Sequence, residues 1–182
     1  MNNKKNLGIN DITYISLFTA LIAICSWISI PTPIPFTLQT FAIFATICML
    51  GGKRSTISIL VYILLGAVGL PVFSGFSGGF GKLLGNTGGY IIGFLFSSLV
   101  VWLITRLFGT KTPVMITAMI TGLFVCYAFG TIWFITVYLK ADSSISIGTV
   151  LSWCVFPFII PDIIKISFAL LVSKRLGKYI NI

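Results

Sequence analysis

Long apolar runs, separated by short segments that hold most of the charges, constrain this chain more than any other feature. Of its 182 residues, 57% are hydrophobic and 8% are charged, whereas about 25% of the residues of a soluble domain are charged. A membrane-spanning helix needs about 20 consecutive apolar residues. We therefore predict an all-α integral membrane protein, one six-helix membrane domain over residues 1–182. Its helices are expected near 12–30, 37–51, 55–71, 87–107, 113–139 and 147–173.

The basic residues predict how this bundle is oriented. Nine of them fall on one side of a six-span weave: Lys4, Lys5, Lys53, Arg54, Arg106, Lys111, Lys174, Arg175 and Lys178. The other side has Lys82 and Lys140, with Asp142 beside the latter. Because cytoplasmic loops carry the excess of Lys and Arg, both termini are predicted to be cytoplasmic. The formal net charge of +9 is mostly this asymmetry and does not indicate nucleic-acid binding.

A glycine-rich stretch, Gly66 to Gly93, lies between the predicted third and fourth helices and holds ten of the eighteen glycines. Large apolar side chains alternate with these glycines, which favours an ordered outer loop over a flexible linker. Gly81-Lys82 is followed by Leu83, so the phosphate-binding P-loop pattern is absent. Close packing and binding of an anionic or amide-bearing molecule by bare backbone N–H groups remain equally open. The candidate contacts are Ser74, Ser77, Gly78, Lys82, Asn86 and Thr87.

Asp162 and Lys165 are charged residues inside the predicted sixth helix. Their spacing of three positions places them on one face of that helix. The pair lies about 18 Å from the predicted cytoplasmic end at 1.5 Å per residue, and ionisable residues at that depth favour function over a purely structural ion pair. An enzyme that uses the two residues as base and acid is a weaker alternative, because the other acids, Asp11 and Asp142, lie at a terminus and in an outer loop.

Several uncharged residues are also candidates for a site inside the bundle. Gln39, just inside the second helix, is predicted to face the interior and to have a partner there, because an amide in lipid is costly. Three prolines in residues 31–35 predict a stiff outer connection before it. Tyr127 and Trp133 belong to an aromatic cluster of the fifth helix, which either packs the bundle or forms the wall of a site for an apolar ligand.

The first predicted helix carries small residues at spacings that allow another helix to approach closely. Ser16 and Ala20 are four positions apart, and Ala23 follows on nearly the same face. This stripe predicts either packing inside the bundle or a docking face for a partner. The four cysteines stand alone in apolar runs, and the chain has no His and no Glu, so we expect neither a metal nor a cofactor.

Three segments together resemble the BioY family: PIPFTLQTF at 33–41, the stretch at 69–94 and PFIIPDIIK at 157–165. The family comprises the biotin-capturing membrane subunits of energy-coupling factor (ECF) transporters. The resemblance implies a subunit of the bacterial cell membrane that binds biotin from outside and works with a coupling protein and two ATPases. At Asn86 members commonly have Pro, and some members have Asn and Arg at the positions of Ser77 and Ile91.

The resemblance also assigns roles to the candidate residues. Asp162 would accept hydrogen bonds from the ureido group of biotin, and Lys165 would donate to the ureido carbonyl or to the valerate carboxylate. Tyr90, Tyr127 and Trp133 would form apolar walls. The stiff prolines at 31–36 and the dense glycines at 73–85 predict that these two loops become ordered as a lid when ligand binds. A channel or a self-sufficient vitamin transporter is the second alternative.

Overall fold

The computed structural model describes residues 8–32, 34–139 and 146–176. The basic residues Lys4, Lys5, Lys140 and Lys178, the acid Asp142 and Pro33 of the proline-rich segment lie outside the described residues. The elements in chain order are α1 (Ile9–Trp27), β1 (Ser29–Ile30), β2 (Phe36–Thr37), α2 (Gln39–Ala67), α3 (Phe80–Leu84), α4 (Gly88–Phe108), α5 (Thr112–Leu139), α6 (Ile147–Cys154) and α7 (Phe156–Leu176).

Five helical stretches are long and apolar enough to cross a membrane: Ile9–Trp27, Gln39–Ala67, Gly88–Phe108, Thr112–Leu139 and Ile147–Leu176. The prediction of a multi-pass membrane protein is therefore confirmed, and the chain is mostly helical, with a short hairpin of two strands. The predicted first helix, 12–30, has the observed length but lies three residues too far along the chain, because the helix begins at Ile9 and the chain after Trp27 turns into the strand β1. The last stretch comprises α6 and α7, which are separated by the non-helical residue Val155.

The 29-residue helix α2 doubles back on itself. Gly51 has φ 72° and ψ 175°, a conformation that a glycine adopts without steric cost. The side chain of Gln39, at the start of α2, donates from Nε2 to the hydroxyl of Tyr62 across 3.1 Å. In a straight helix these residues would be about 34 Å apart. The chain therefore reverses at Gly51, and residues 39–50 and 52–67 run side by side.

One end of the bundle collects charged residues from several helices, and we call it the basic end. It is formed by the first turn of α1, the corner at residues 51–54, the start of α5 and the last turns of α7. The carboxylate of Asp11 is paired there with Arg54, with Oδ1 and Nη2 2.7 Å apart. Residues far apart in the sequence thus meet at the same end.

Close helix contacts organise the interior. The helices α4 and α5 approach where glycines face side chains of the partner helix: a Cβ atom at Gly130 would overlap the ring of Tyr90, and one at Gly89 would overlap Trp133. Such approach is the main source of helix association in lipid, since burial of apolar surface gives no driving force there. The central core includes Ile22, Ile43, Phe44, Ile59, Tyr62, Val101, Met119 and Ile166.

The opposite end of the bundle is closed by two connections. In the first, β1 and β2 form an antiparallel hairpin in which Ser29 pairs with Thr37 and Ile30 with Phe36. The second is the segment between α2 and α4, which contains α3. It is fixed to the end of α1 by hydrogen bonds from Ser26 Oγ to the Val72 carbonyl at 2.6 Å and from Trp27 Nε1 to the Pro71 carbonyl at 2.8 Å.

Candidate functional site

A cavity lies beneath the hairpin and the segment that contains α3. Its empty space is about 670 Å³, including its mouth. The apolar part of its lining comprises Ile34, Pro35, Ile91, Phe94, Leu123, Cys126, Cys154 and Phe158. Its polar lining comprises Thr37, Gln39, Thr40, Ser74, Lys82, Thr87, Tyr90, Tyr127 and Asp162. An apolar cavity with a few convergent polar groups is the usual form of a small-molecule site.

The carboxylate of Asp162 is the most deeply buried charge of this cavity, with 2% of the residue exposed. Its Oδ1 atom is 2.9 Å from Lys165 Nζ, and its Oδ2 atom accepts a hydrogen bond of 2.6 Å from the Tyr127 hydroxyl. A buried charge is tolerated when it is paired and hydrogen-bonded. Each carboxylate oxygen has two lone pairs, so Asp162 retains acceptor capacity toward the cavity.

Lys165 lies beside the cavity but is not part of its lining. Besides its bond to Asp162, Nζ donates to the Thr37 carbonyl across 2.7 Å and sits 4.2 Å from the ring centre of Phe36. An ammonium group has three N–H donors. Here the group contacts a carboxylate, a carbonyl and the face of an aromatic ring. Asp162 and Lys165 share one face of the helix, as their spacing predicts, and their side chains form an ion pair.

Gln39 has the interior partner that its sequence position requires, because Nε2 donates to the Tyr62 hydroxyl. The ring of Tyr62 packs edge-on against Phe73 with centroids 5.5 Å apart. Gln39 and Thr40 both line the cavity. The first turn of α2 therefore supplies two polar side chains to the site.

Of the three aromatic residues predicted as walls, Tyr90 and Tyr127 line the cavity. The hydroxyl of Tyr90 is 3.0 Å from Thr131 Oγ1. Trp133 lies outside the lining, and its Nε1 atom donates to the Gly85 carbonyl across 3.1 Å. Trp133 thus fixes the segment before α4 rather than forming a wall.

Some of the predicted loop contacts line the cavity and others lie outside its lining. Lys82, Ser74 and Thr87 line the cavity, whereas Ser77, Gly78 and Asn86 do not. The hydroxyl of Ser77 donates to the Ser74 carbonyl at 2.7 Å, which fixes the turn that presents Ser74. A Cβ atom at Gly78 would overlap the Leu70 carbonyl, so this glycine permits close backbone packing. The side chain of Asn86 is exposed.

The three small residues of α1 do not share one environment. Ser16 and Ala20 are exposed on the outer face of the helix. Ala23, with 6% exposure, belongs to the core cluster. An exposed small-residue face on α1 is therefore limited to Ser16 and Ala20.

Thr37, Thr40 and Phe158 line the cavity but were not among the predicted contacts. The first two flank Gln39 in sequence, and Phe158 lies four positions before Asp162, one turn away on the same helix face. Spacing relative to Gln39 and Asp162 is thus the signal that identifies them. Within residues 8–32, 34–139 and 146–176, no cluster of three metal-ligating His, Cys, Asp or Glu side chains occurs.

The fold defines a polytopic membrane protein, and this cavity with its buried charge is its candidate small-molecule site. The BioY family profile matches residues 1–181. A relative from Thermotoga maritima, "Biotin transporter BioY", is 40% identical over 165 residues, which is 89% of this chain and 92% of that protein. A second, from Pyrococcus horikoshii, "Probable biotin transporter BioY", is 36% identical over 167 residues, covering 91% and 95%.

A solved structure has the same fold. It is the crystal structure at 2.1 Å of the S-component for biotin from an ECF-type ABC transporter. The TM-score is 0.80 at 28% sequence identity, and the match covers 98% of this chain and 95% of the other. The chain belongs to the BioY family.

Proposed function

We propose that this protein is the biotin-capturing subunit of an ECF-type transporter. Family membership and the likeness to the S-component for biotin support the proposal. The observation that carries it is the carboxylate of Asp162, which is buried in the wall of a largely apolar cavity and held by Tyr127 and Lys165. This combination matches a ligand that has both an apolar body and strong hydrogen-bond donors.

The chemistry of biotin fits the two charged residues of the cavity lining. Its ureido group has two N–H donors, and a carboxylate acceptor makes bonds to them about twice as strong as a neutral acceptor does. Asp162 is assigned to the ureido end. Lys82, from α3, lies at the loop side of the same cavity and is assigned to the valerate carboxylate. The rings of Tyr90, Phe94 and Phe158 then enclose the apolar body of the ligand.

Lys165 is assigned a positioning role instead of direct ligand contact. Its donors already serve Asp162 and the carbonyl of Thr37. The ammonium therefore holds the carboxylate of Asp162 in place and at the same time fixes β2 over the cavity.

Six membrane crossings are proposed from the reversal of α2 at Gly51. The two arms of α2 count as separate crossings, and α6 with α7 forms the last one. The basic end is assigned to the cytoplasm, because Arg54, Lys111 and Lys174 lie in or beside it. The hairpin and the glycine-rich segment then face outward, where biotin arrives.

Energy for uptake is assigned to partners, a coupling protein with two ATPases. The exposed pair Ser16 and Ala20 on α1 gives such a partner a face that a helix can approach closely. A membrane enzyme is disfavoured by the same comparisons, since the relatives are named as transporters. Asp162 and Lys165 serve recognition in this proposal.

Labelled-biotin binding to the purified, detergent-solubilised protein is the direct test. Saturable binding that is lost on excess unlabelled biotin supports the proposal, and absence of binding by the folded protein contradicts it. Reconstitution in vesicles separates the transport alternatives. Biotin accumulation without ATP or partners would identify a self-sufficient transporter, whereas binding without uptake supports a capture subunit.

A further inference from the structure

A second cavity opens at the basic end, away from the site described above. Its empty space, including the open solvent at its mouth, is about 1370 Å³. The corner of α2 contributes Arg54, and the last turns of α7 contribute Ser173 and Lys174. The turn that leads into α5 contributes Thr110 and Thr112. Two cations and three hydroxyl groups from three separate parts of the chain thus surround one opening.

The electrostatics of this opening favour an anion. Arg54 is paired with Asp11 through Nη2, but a guanidinium has five N–H donors, and 30% of this side chain is exposed. Lys174 is exposed. The helix α5 begins at Thr112, and the N–H groups of its first turn carry partial positive charge, although Pro113 supplies none. The positive charge of these groups together exceeds the single negative charge of the Asp11 carboxylate.

The remaining wall of the cavity is apolar. It is formed by side chains such as Leu50, Met115 and Leu170. An inorganic phosphate ion would leave this apolar wall uncovered, whereas a lipid would cover it with an acyl chain while its phosphate meets the cations. Basic pockets between the ends of membrane helices are suited to anionic lipid headgroups.

We propose that this cavity binds an anionic phospholipid, with the phosphate at Arg54 and Lys174 and the start of an acyl chain against the apolar wall. The ends of the membrane-spanning helices lie at the membrane surface, where such lipids are present. The lipid would cross-link the corner of α2, the start of α5 and the end of α7. This inference is independent of which molecule occupies the other cavity.

The test compares the melting temperature of the full chain in phosphatidylcholine bilayers with and without phosphatidylglycerol, and native mass spectrometry counts the retained lipids. We expect phosphatidylglycerol to raise the melting temperature of the wild type, and the double variant Arg54→Gln, Lys174→Gln to lose most of that rise. The matched control is Lys53→Gln, Arg175→Gln, which removes the same charge from exposed neighbours outside the cavity lining. An equal loss in the control overturns the proposal.

Two further arms separate the remaining explanations. Inorganic phosphate added to phosphatidylcholine bilayers is expected to leave the melting temperature unchanged, and a rise equal to that with phosphatidylglycerol would overturn the assignment to lipid. Asp11→Asn breaks the ion pair but leaves Arg54 in place, so we expect the rise to persist. If Asp11→Asn abolishes the rise as fully as the double variant Arg54→Gln, Lys174→Gln does, Arg54 serves only the ion pair and the proposal fails.

Discussion

Lys165 donates a hydrogen bond of 2.7 Å to the carbonyl of Thr37, although 128 positions separate the two residues. The same ammonium is paired with Asp162, one turn earlier on α7. The strand β2, which contributes to the cavity lining, is therefore attached to the helix that carries the buried carboxylate. The position of the Asp162 carboxylate and that of the hairpin therefore depend on one side chain.

We expect Asp162→Asn to weaken biotin binding by about 10- to 150-fold. Loss of hydrogen bonds to a charged acceptor costs about 1.5–3 kcal/mol, and about 1.4 kcal/mol corresponds to a factor of ten. The dissociation constant of the purified variant is the measurement. Ser167→Ala, at an exposed position of the same helix, is the matched control. Unchanged affinity in a folded Asp162→Asn variant would remove this carboxylate from the site.

We expect Lys165→Gln to destabilise the protein more than the double variant Asp162→Asn, Lys165→Gln does. Removal of one partner of a buried ion pair costs about 3–5 kcal/mol, because the other charge remains buried without compensation. Thermal unfolding of both single variants and the double variant gives the coupling energy. Arg175→Gln, an exposed cation on α7, controls for loss of charge. Additive effects of the two substitutions would show that the pair is not coupled.

We expect Gly130→Ala to weaken biotin binding although no polar contact is removed. The new Cβ atom would overlap the ring of Tyr90, which lines the cavity, and overpacking costs about 1–3 kcal/mol. At Gly148 a Cβ atom would meet its nearest neighbour, Ser146 Oγ, at 3.6 Å, so Gly148→Ala is the control. Equal binding by the two variants would contradict the close contact of Gly130 with Tyr90.

We expect Ala20→Trp to keep biotin binding and to lose co-purification with the coupling protein. Ala20 is exposed on α1, so a bulky side chain there blocks helix approach without entering the cavity. Leu103→Trp, at an exposed position of α4, is the control. Retention of the complex by Ala20→Trp, or loss of biotin binding, would move the docking face elsewhere.

The class of protein and the central ion pair were predictable, because both depend on short-range patterns. Apolar runs identify membrane helices whatever their packing, and a spacing of three places Asp162 beside Lys165. The sequence also predicted that Gln39 has a partner inside the bundle. That this partner is Tyr62 depends on the reversal of the chain at Gly51.

The wall of the cavity was less predictable. Tyr127 and Trp133 belong to one aromatic cluster in sequence, yet six helical positions rotate a side chain by about 240°. They therefore face different neighbours, and only Tyr127 is part of the described cavity lining. Likewise, Ser74 and Ser77 looked equivalent in the sequence, but the Ser77 hydroxyl bonds to the backbone of its own turn. Such differences depend on tertiary packing that spacing does not encode.

A further expectation concerns Trp133, whose indole N–H bonds to the Gly85 carbonyl. In Trp133→Phe an aromatic ring remains at this position but the hydrogen bond is lost, at a cost of about 0.5–1.5 kcal/mol. We expect faster release of biotin with little change in the association rate, as measured by stopped-flow fluorescence or by a filter assay. Trp153→Phe, at an exposed position, is the control, and identical release rates would contradict a role for this bond.

The glycine-rich segment is held at both of its ends by helices. Ser26 and Trp27 of α1 bond to the backbone of Val72 and Pro71, and Trp133 of α5 bonds to that of Gly85. The segment cannot open as a free flap while these bonds persist. We therefore expect the residence time of a ligand beneath it to depend on relative movement of α1 and α5. A partner that shifts α1 within the membrane is then expected to shorten that residence time without touching the ligand.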